Sequence, residues 1–320
     1  MRVLVTGGTG YLGSAIVRAI AREGHTPIVF ARRARATQHP AIAFEAIDGD
    51  VRDRAALMRA ADGVDAICHT AALVSIWRPR SQDFDEINIG GLQTVIDVCT
   101  SRRIPRLVYT SSFLARPPYG ATAPLQANDY QRTKAAALTV ARDAAARGVP
   151  ITILVPGVIY GPGTTTEGDL VGRLIRDHLT WRLPGLVGAD RVWSFTYIDD
   201  VAEAHVRALT GGGVRPGSDP GRTPIHEIVI GGENAPQIRA FEVLRDLKGA
   251  RLPLRIPVAM ARALATVEEA RTAVFKRPPL LTHGVVEIFR HDWPLAIDEM
   301  TAFLGHPPTS LVTGLRHTLG

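Results

Sequence analysis

The sequence predicts an α/β fold in which a parallel, doubly wound sheet is flanked by helices and followed by a smaller, mostly helical C-terminal lobe. Residues 3–5 form an apolar strand that runs into a glycine-rich turn and then into helical spacing of apolar residues. Short apolar strands and helical segments go on alternating as far as residue 163, and helical crossovers between such strands produce a parallel sheet. The regularity then loosens, which indicates the second lobe.

The turn after the first strand has glycines three residues apart, at Gly7, Gly10 and Gly13. Without Cβ atoms the turn can be tight, a phosphate can approach the backbone, and the helix can pack closely on the strand. The N–H groups that open the helix would then face the anion. We therefore predict a dinucleotide site, with a tight turn that binds nothing as the alternative. Its predicted contacts are Gly7, Thr9, Gly10, Tyr11, Leu12 and Gly13.

The end of the second predicted strand, residues 27–31, bears on which dinucleotide is bound. In a dinucleotide-binding fold an acidic residue about 20 positions beyond the glycines binds the ribose 2′-hydroxyl and would repel a 2′-phosphate. Here the strand is followed by Arg32, Arg33 and Arg35, with no carboxylate. Because arginine forks suit phosphate, we predict NADP(H) rather than NAD(H), with Arg32 the first candidate and Arg33 the second. A solvated basic turn is the alternative.

A third strand is predicted at residues 42–47, and it is followed by Asp50 and Val51. Ligands bind at the carboxyl ends of strands in open α/β sheets, so these two residues are candidates for an adenine contact. For Asp50, a purely structural role in a turn is an equally open alternative. Asp53 is predicted to cap the helix that runs to residue 61.

A fourth strand, residues 65–69, leads into the small residues Thr70, Ala71 and Ala72, which would let the backbone approach the cofactor. We interpret His69, at the end of this strand, as structural rather than catalytic, because a histidine in such a place usually packs.

The remaining elements complete the alternation and the second lobe. We predict an apolar loop at 73–80, a long helix at 83–103, a fifth strand at 106–110, a helix at 130–148, a sixth strand at 150–155, a helix at 170–181, a strand at 195–198 that returns to the main sheet, a strand at 225–230, and helices from 236 onward with a short strand near 252–256. The predicted domains are residues 1–163 plus about 195–232 for the dinucleotide and about 164–194 plus 233–320 for the substrate.

Tyr130 and Lys134 are four residues apart on a predicted helix, so they share one face. A tyrosine has a pKa near 10, and a neighbouring ammonium is expected to lower it towards useful acid–base chemistry. Lys134 can also bind the nicotinamide ribose. A serine at the end of the fifth strand, Ser111 or Ser112, can hold the substrate oxygen while the tyrosine moves the proton.

These motifs, taken together, resemble the extended short-chain dehydrogenase/reductase family. The matching segments are 6–13, 49–51, 69–72, Asn88, 109–112, Tyr130 with Lys134, 156–163 and 197–202, and they run in family order over roughly 200 residues. The resemblance implies a Rossmann domain, a nicotinamide cofactor that Pro156 and Val158 also contact, and a Ser112–Tyr130–Lys134 catalytic set. It further implies supporting roles for Asn88 and for Ser111, which is the fallback serine, and a homodimer formed by the helices at 83–103 and 130–147.

Departures from the family pattern discriminate among its activities. Dehydratases carry an acidic residue directly after the catalytic serine or threonine, whereas Phe113 follows here. Sugar-nucleotide enzymes commonly carry an arginine and an asparagine after the sixth strand, at positions that match Val155 and Val158. The stretch 155–161 is more similar to dihydroflavonol reductases and 3β-hydroxysteroid dehydrogenases. It is also similar to hopanoid-associated members described as sugar epimerases, which keeps that alternative open.

An apolar lining supports the reductase interpretation. The candidate substrate residues are Val74, Trp77, Phe113, Leu114 and Tyr160. A pocket with few polar groups suits a hydrophobic ketone or aldehyde. We therefore predict an NADP(H)-dependent carbonyl reductase, with a sugar-nucleotide epimerase as the alternative and a catalytically silent dinucleotide-binding regulator as the third hypothesis.

Composition sets the remaining expectations. The chain has 320 residues, of which 46% are hydrophobic and 21% charged, as in a globular protein with a large core. No apolar run reaches the roughly 18 residues of a spanning helix, and no signal peptide is expected before the first strand, so we predict a cytoplasmic protein. Cys68 and Cys99 are expected to be buried thiols, with no metal site. The net charge of +6 comes from scattered arginines, so nucleic acid is not an expected partner.

Overall fold

The computed structural model describes residues 1–37, 42–164, 166–211 and 226–320. Its strands are β1 (Arg2–Thr6), β2 (Thr26–Ala31), β3 (Glu45–Asp48), β4 (Ala66–His69), β5 (Leu107–Thr110), β6 (Ile151–Pro156), β7 (Val158–Tyr160), β8 (Leu186–Val187), β9 (Val192–Tyr197), β10 (His226–Ile230), β11 (Glu233–Pro236) and β12 (Arg255–Ile256). Its α-helices are α1 (Tyr11–Arg22), α2 (Arg54–Ala60), α3 (Gln82–Phe84), α4 (Gly91–Arg102), α5 (Asp129–Ala146), α6 (Leu170–Leu179), α7 (Ile198–Thr210), α8 (Arg239–Lys248), α9 (Val258–Phe275), α10 (His283–Phe289), α11 (Asp298–Leu304) and α12 (Leu311–Leu319).

The main sheet has seven parallel strands in the order β10-β6-β5-β4-β1-β2-β3. The chain moves outward from β1 to β3, then returns to the other side of β1 and builds β4, β5 and β6. That reversal leaves a crevice beyond the carboxyl ends of β1 and β4, which is where open α/β sheets bind ligands. The predicted doubly wound parallel sheet is confirmed.

Two apolar layers hold helices against this sheet. On one face, α1 and α7 pack with the sheet through side chains such as Ile16, Ile20 and Val201. On the other face, α2, α4 and α5 pack through Leu57, Val95 and Leu138. Cys68 and Cys99 are free and buried in these layers, as expected.

One strand prediction was wrong. Residues 195–198 were expected in the main sheet, but β9 joins a separate three-stranded sheet in the order β11-β9-β7. Its aromatic residues Trp193, Phe195 and Tyr197 are buried in the apolar core of the C-terminal lobe, and this burial explains the different partner. β10 takes the seventh place in the main sheet instead.

Other boundaries differ in detail. β3 starts at Glu45 rather than at residue 42, and the helix expected at 170–181 ends at Leu179. The long helix expected at 83–103 is interrupted by a π-helical turn, Asp85–Gly90, between α3 and α4. Residue 225 of the predicted strand at 225–230 lies outside the described residues. The proposed limits of the two domains stay a prediction.

The C-terminal lobe has its own apolar core, in which α6, α8, α10 and α12 pack around β9. The short strands β8 and β12 pair with each other beside α9. In the part of the chain described, no helix has both the length and the apolar character needed to cross a membrane.

Candidate active site

The glycine turn between β1 and α1 is packed so tightly that side chains are excluded. Gly7 has a φ of +75°, and a Cβ atom there would lie 2.8 Å from the Cα of Ala71. A Cβ atom on Gly13 would lie 2.2 Å from the carbonyl oxygen of Gly7. Gly10 is the N-cap residue of α1 and supplies no side-chain cap, so backbone N–H groups of the first turn are left for a ligand. The turn therefore fits a pyrophosphate.

Tyr11 has a structural task besides its place in this turn. Its side chain is 4% exposed, and its hydroxyl donates a 2.8 Å hydrogen bond to the carbonyl oxygen of Gly161. The bond ties the glycine turn to the loop that follows β7. Thr9 and Leu12 lie in the same turn and are half-buried.

Arg32 and Arg33 follow β2 and are exposed. Neither side chain forms an ion pair with another residue in the described ranges. Arg32 lies close enough to Asp50 that its charge helps to lower the pKa of that carboxyl, although the hydrogen bond from Arg52 is the larger cause. The position is open to a phosphate beyond the end of β2.

Asp50 is engaged by a neighbouring arginine. Its two carboxylate oxygens accept hydrogen bonds from the Arg52 guanidinium at 3.0 and 2.8 Å, and Arg52 also donates to Glu86. Asp50 is thus held as a turn aspartate, while Val51 is buried against Gly91. Their contact with adenine stays a prediction.

The end of β4 is fastened to the end of β1. The Thr70 hydroxyl donates to the carbonyl oxygen of Thr6 at 2.8 Å, and the Thr6 hydroxyl is hydrogen-bonded to Nδ1 of His69 at 2.7 Å. His69 is 1% exposed and stacks on Tyr109, and burial lowers its pKa to about 3. A buried neutral imidazole suits the structural role expected of His69. Ala71 and Ala72 follow and are half-buried, and the Ala71 backbone lies against Gly7.

Ser112 and Tyr130 meet just beyond the carboxyl end of β5. Ser112 opens a 3₁₀ turn, Phe113–Ala115, and its hydroxyl oxygen accepts a 3.2 Å hydrogen bond from the backbone N–H of Leu114. Tyr130 lies in the first turn of α5, which Asn128 caps by accepting from the Gln131 N–H at 2.8 Å. The Ser112 hydroxyl lies close enough to the Tyr130 phenol to lower the pKa of that phenol.

Lys134 lies one turn further along α5 and is almost completely buried. Its Nζ donates a 2.9 Å hydrogen bond to the carbonyl oxygen of Thr110 and lies 5.2 Å from the centre of the Tyr109 ring. Burial lowers the pKa of Lys134 to about 7. The Thr110 hydroxyl is itself hydrogen-bonded at 2.7 Å to Nε2 of the buried His205.

The expected depression of the Tyr130 pKa is not what the structure shows. Burial raises the pKa of Tyr130 to about 12, and the nearby Ser112 hydroxyl offsets this rise only in part. The reason is that desolvation of the buried phenol disfavours the phenolate, while Lys134 directs its Nζ to Thr110.

Ser111 points away from this pair. Its hydroxyl is buried near the hydroxyl of Tyr109, and neither reaches hydrogen-bond geometry with a partner among the described residues. Ser112 is therefore the serine that the fold brings to Tyr130.

Asn88 connects the loop after β4 to α5. It lies in the π-helical turn and is 2% exposed. Its Oδ1 accepts from the N–H of Leu73 at 2.7 Å, while its Nδ2 donates to the hydroxyl of Thr133 at 3.0 Å. Such bulges are frequent at functional sites. The sequence did not predict the π-helical turn, although the adjacent glycines Gly90 and Gly91 could have indicated it. Nor did it predict that the Thr110 carbonyl oxygen accepts from Lys134, and no local pattern marks that contact.

The predicted substrate residues are only partly brought together. Val74, Trp77 and Leu114 are half-buried at the same end of the sheet. Phe113, next to Ser112, is 7% exposed and packs on Trp193 and Trp293 with ring centres 5.9 and 5.5 Å away. Tyr160 is 1% exposed, and its hydroxyl donates to the carbonyl oxygen of Ser310, so the structure places it in the lobe core.

Val158 and Pro156, the two further candidates for cofactor contact, are both buried, and Pro156 lies at the end of β6. Val158 lines a small apolar pocket whose other walls include Leu174, Trp193, Phe195 and Phe241. A larger groove of about 670 Å³ lies elsewhere on the lobe, between β8 and α9, and none of the predicted catalytic residues lines it.

A family model described as the NAD dependent epimerase/dehydratase family matches residues 3–217. The chain belongs to this family. That membership confirms the resemblance to the extended short-chain dehydrogenases/reductases, and the family binds nicotinamide dinucleotides.

Curated relatives of the family include reductases. The chain is 30% identical over 280 residues to sterol demethylase protein B of Methylococcus capsulatus, covering 84% of this chain and 81% of that one. It is 32% identical over 222 residues to a 2-alkyl-3-oxoalkanoate reductase of Stenotrophomonas maltophilia, covering 65% of each. Among solved structures, MoeE5 in complex with UDP-glucuronic acid and NAD matches with a TM-score of 0.75 at 22% identity, over 100% of this chain and 98% of that one. The last match shows a common fold.

Proposed function

We propose that this member of the family is an NADP(H)-dependent oxidoreductase that reduces a ketone or aldehyde of a largely apolar small molecule. The observation that carries the proposal is the closeness of the Ser112 hydroxyl to the Tyr130 phenol, whose pKa it lowers, at the sheet edge that also holds the glycine turn. A carbonyl oxygen placed between these two hydroxyls would accept a hydrogen bond from one and a proton from the other.

The raised pKa of Tyr130 suits the reductive direction. Because that pKa is about 12, the phenol carries its proton at neutral pH and can deliver it to the developing alkoxide. A bound nicotinamide dinucleotide would supply the hydride to the carbonyl carbon. Ser112 then stabilises the phenolate that remains, and Lys134, one helical turn away, lies on the same helix face and adds its charge when protonated.

The preference for NADP(H) rests on Arg32. The residue is exposed beyond β2 without an ion-pair partner in the described ranges, and residues 31–35 contain no carboxylate to bind a ribose 2′-hydroxyl or repel a 2′-phosphate. A planar guanidinium can bind that phosphate through two parallel hydrogen bonds.

An apolar substrate is supported by the surroundings of Ser112. Phe113, Trp193 and Trp293 form a continuous aromatic group next to it. The names of the reductase and sterol-related relatives point in the same direction.

The test is a substrate screen of purified protein in which NADPH absorbance is followed with hydrophobic ketones, aldehydes and sugar nucleotides. We expect NADPH oxidation with apolar carbonyl compounds. Interconversion of sugar nucleotides without net NADPH consumption would identify an epimerase instead. Absence of NADPH oxidation across the whole panel, together with retained dinucleotide binding, would indicate a silent regulator.

A further inference from the structure

The outward side of α9 is apolar, although it lies on the surface of the C-terminal lobe. The inward side packs on the lobe through Ala261, Ala265 and Thr272. At 100° per residue an arc of about 160° on the outward side of the helix presents three alanines and five larger apolar side chains. These are Met260, Leu264, Val267, Val274 and Phe275, with exposed fractions of 62%, 37%, 63%, 72% and 66%. We call this set the α9 face.

Additional apolar residues lengthen the α9 face at both ends. Leu254, which precedes the helix, is 75% exposed, and Leu280, which follows it, is 81% exposed. The helix itself has 18 residues and is therefore about 27 Å long. Contiguous exposed apolar surface of this extent is rare on isolated proteins and marks an interaction site.

Positive charge frames the α9 face. Residues 251–277 contain six basic and two acidic residues. Both acidic groups are engaged: Glu268 binds Arg271 at 2.7 Å, and Glu269 accepts from the N–H and the ring of His283. By contrast, the exposed side chains of Arg251, Lys276 and Arg277 have no ion-pair partner within the described ranges.

Arg271 is the one charged residue within the α9 face, and its side chain does not cover the apolar surface. Arg271 bends back to Glu268 and to the carbonyl oxygen of Pro278, so its guanidinium leaves the apolar surface uninterrupted. An apolar helix face flanked by unpaired cations is the pattern of a helix that lies in the interface of a negatively charged bilayer.

We propose that the α9 face binds the surface of an anionic lipid bilayer, with the helix parallel to the membrane plane. Charge decides between this partner and a second copy of the chain. In a two-fold pairing of α9 with itself, the end bearing Arg251 would meet the end bearing Lys276 and Arg277, and like charges would repel. Phospholipid headgroups complement those charges and the acyl boundary accepts the apolar side chains.

The experiment is co-sedimentation of the full chain with vesicles of phosphatidylcholine mixed with phosphatidylglycerol and, separately, of phosphatidylcholine alone. We expect binding to the anionic vesicles, weakened at high salt, and little binding to the neutral ones. This readout involves no turnover, so it succeeds or fails independently of the proposed reaction.

Two variants with the same change in charge separate the apolar contact from simple electrostatics. Val274→Glu alters the α9 face, whereas Ala273→Glu alters the adjacent exposed position outside it. We expect Val274→Glu to weaken partitioning about tenfold more than Ala273→Glu, since only the former places a carboxylate in the acyl boundary. Replacing Lys276 and Arg277 by Gln should weaken binding about fivefold per charge. All four substituted residues are exposed, and thermal unfolding checks that each variant stays folded.

The proposal fails if the protein does not sediment with anionic vesicles, or if Val274→Glu and Ala273→Glu bind them equally. It also fails if analytical ultracentrifugation without lipid shows a dimer that Val274→Glu alone dissociates, because the α9 face would then be an interface between two copies.

Discussion

The Nζ of Lys134 donates a 2.9 Å hydrogen bond to the carbonyl oxygen of Thr110, the last residue of β5. This contact joins α5 to the strand whose end carries Ser112. Burial of the amine lowers the pKa of Lys134 to about 7, and this shift can be measured through stability.

Replacing Lys134 by Met should change how stability depends on pH. A free lysine titrates near 10.4, so between about pH 7 and 10 the unfolded chain binds a proton that the folded chain releases. The cost of burying the charge is therefore fully present below pH 7 and is relieved as the pH rises. We expect the free energy of unfolding of the wild type, minus that of Lys134→Met, to grow by up to about 1.4 kcal/mol per pH unit over this window. Denaturant titrations of both proteins at several pH values measure it, and parallel curves would contradict it.

Replacing Tyr130 by Phe should lower kcat by about 10²–10⁴-fold, because the proton donor is lost while the ring is kept. NADPH affinity, followed by fluorescence, should be unchanged. Tyr119→Phe is the matched control, since Tyr119 is 78% exposed and should not affect turnover. Near-normal turnover of Tyr130→Phe would rule out the proposed mechanism.

Changing Arg32 to Asp should shift the ratio of kcat/KM for NADPH over NADH towards NADH by about tenfold or more, the value of a charged hydrogen bond. The control is Arg35→Asp, which makes the same change of charge three residues further on, where the backbone N–H is bound to Asp48. A ratio that Arg32→Asp leaves unchanged, or that both variants shift equally, would remove Arg32 from cofactor selection.

Gly13→Ala should destabilise the protein by about 3 kcal/mol or more and weaken dinucleotide binding. The added Cβ would meet the Gly7 carbonyl oxygen at 2.2 Å, and a backbone atom cannot rotate away. Gly90→Ala is the contrasting variant, because its Cβ would have no neighbour nearer than 3.8 Å, and a helical alanine should stabilise by up to about 1 kcal/mol. Equal unfolding midpoints for the two variants would count against the close packing of the turn.

Predictions from the sequence succeeded for the elements that depend on a local pattern of residues. The main-sheet strands were found in order, because a short apolar run between turn signals has few alternatives when helices separate the runs. Asp53 does cap α2, accepting from the Ala56 N–H at 3.0 Å. The prediction failed for β9, whose apolar run is compatible with either sheet and whose partner depends on the distant β11 and β7.

The candidate site shows the same division. A strand-end serine and the shared helix face of Tyr130 and Lys134 could be anticipated from spacing, whereas the choice of Ser112 over Ser111 came from the family resemblance. Their electrostatics could not, because the pKa of Tyr130 depends on how deeply its phenol is buried and on where Lys134 directs its Nζ. The role of Tyr160 was equally undetermined until its hydroxyl was found bonded to Ser310, 150 residues away in the chain.

The sequence by itself determined the family, the parallel sheet and the order of the catalytic candidates, since each is carried by neighbouring residues with a fixed period or spacing. Only the tertiary structure decided which groups lose water, which strands share a sheet and which helix face stays uncovered. Desolvation and long-range pairing depend on segments far apart in the chain, and the apolar α9 face is recognised only because its side chains stay exposed in the folded structure.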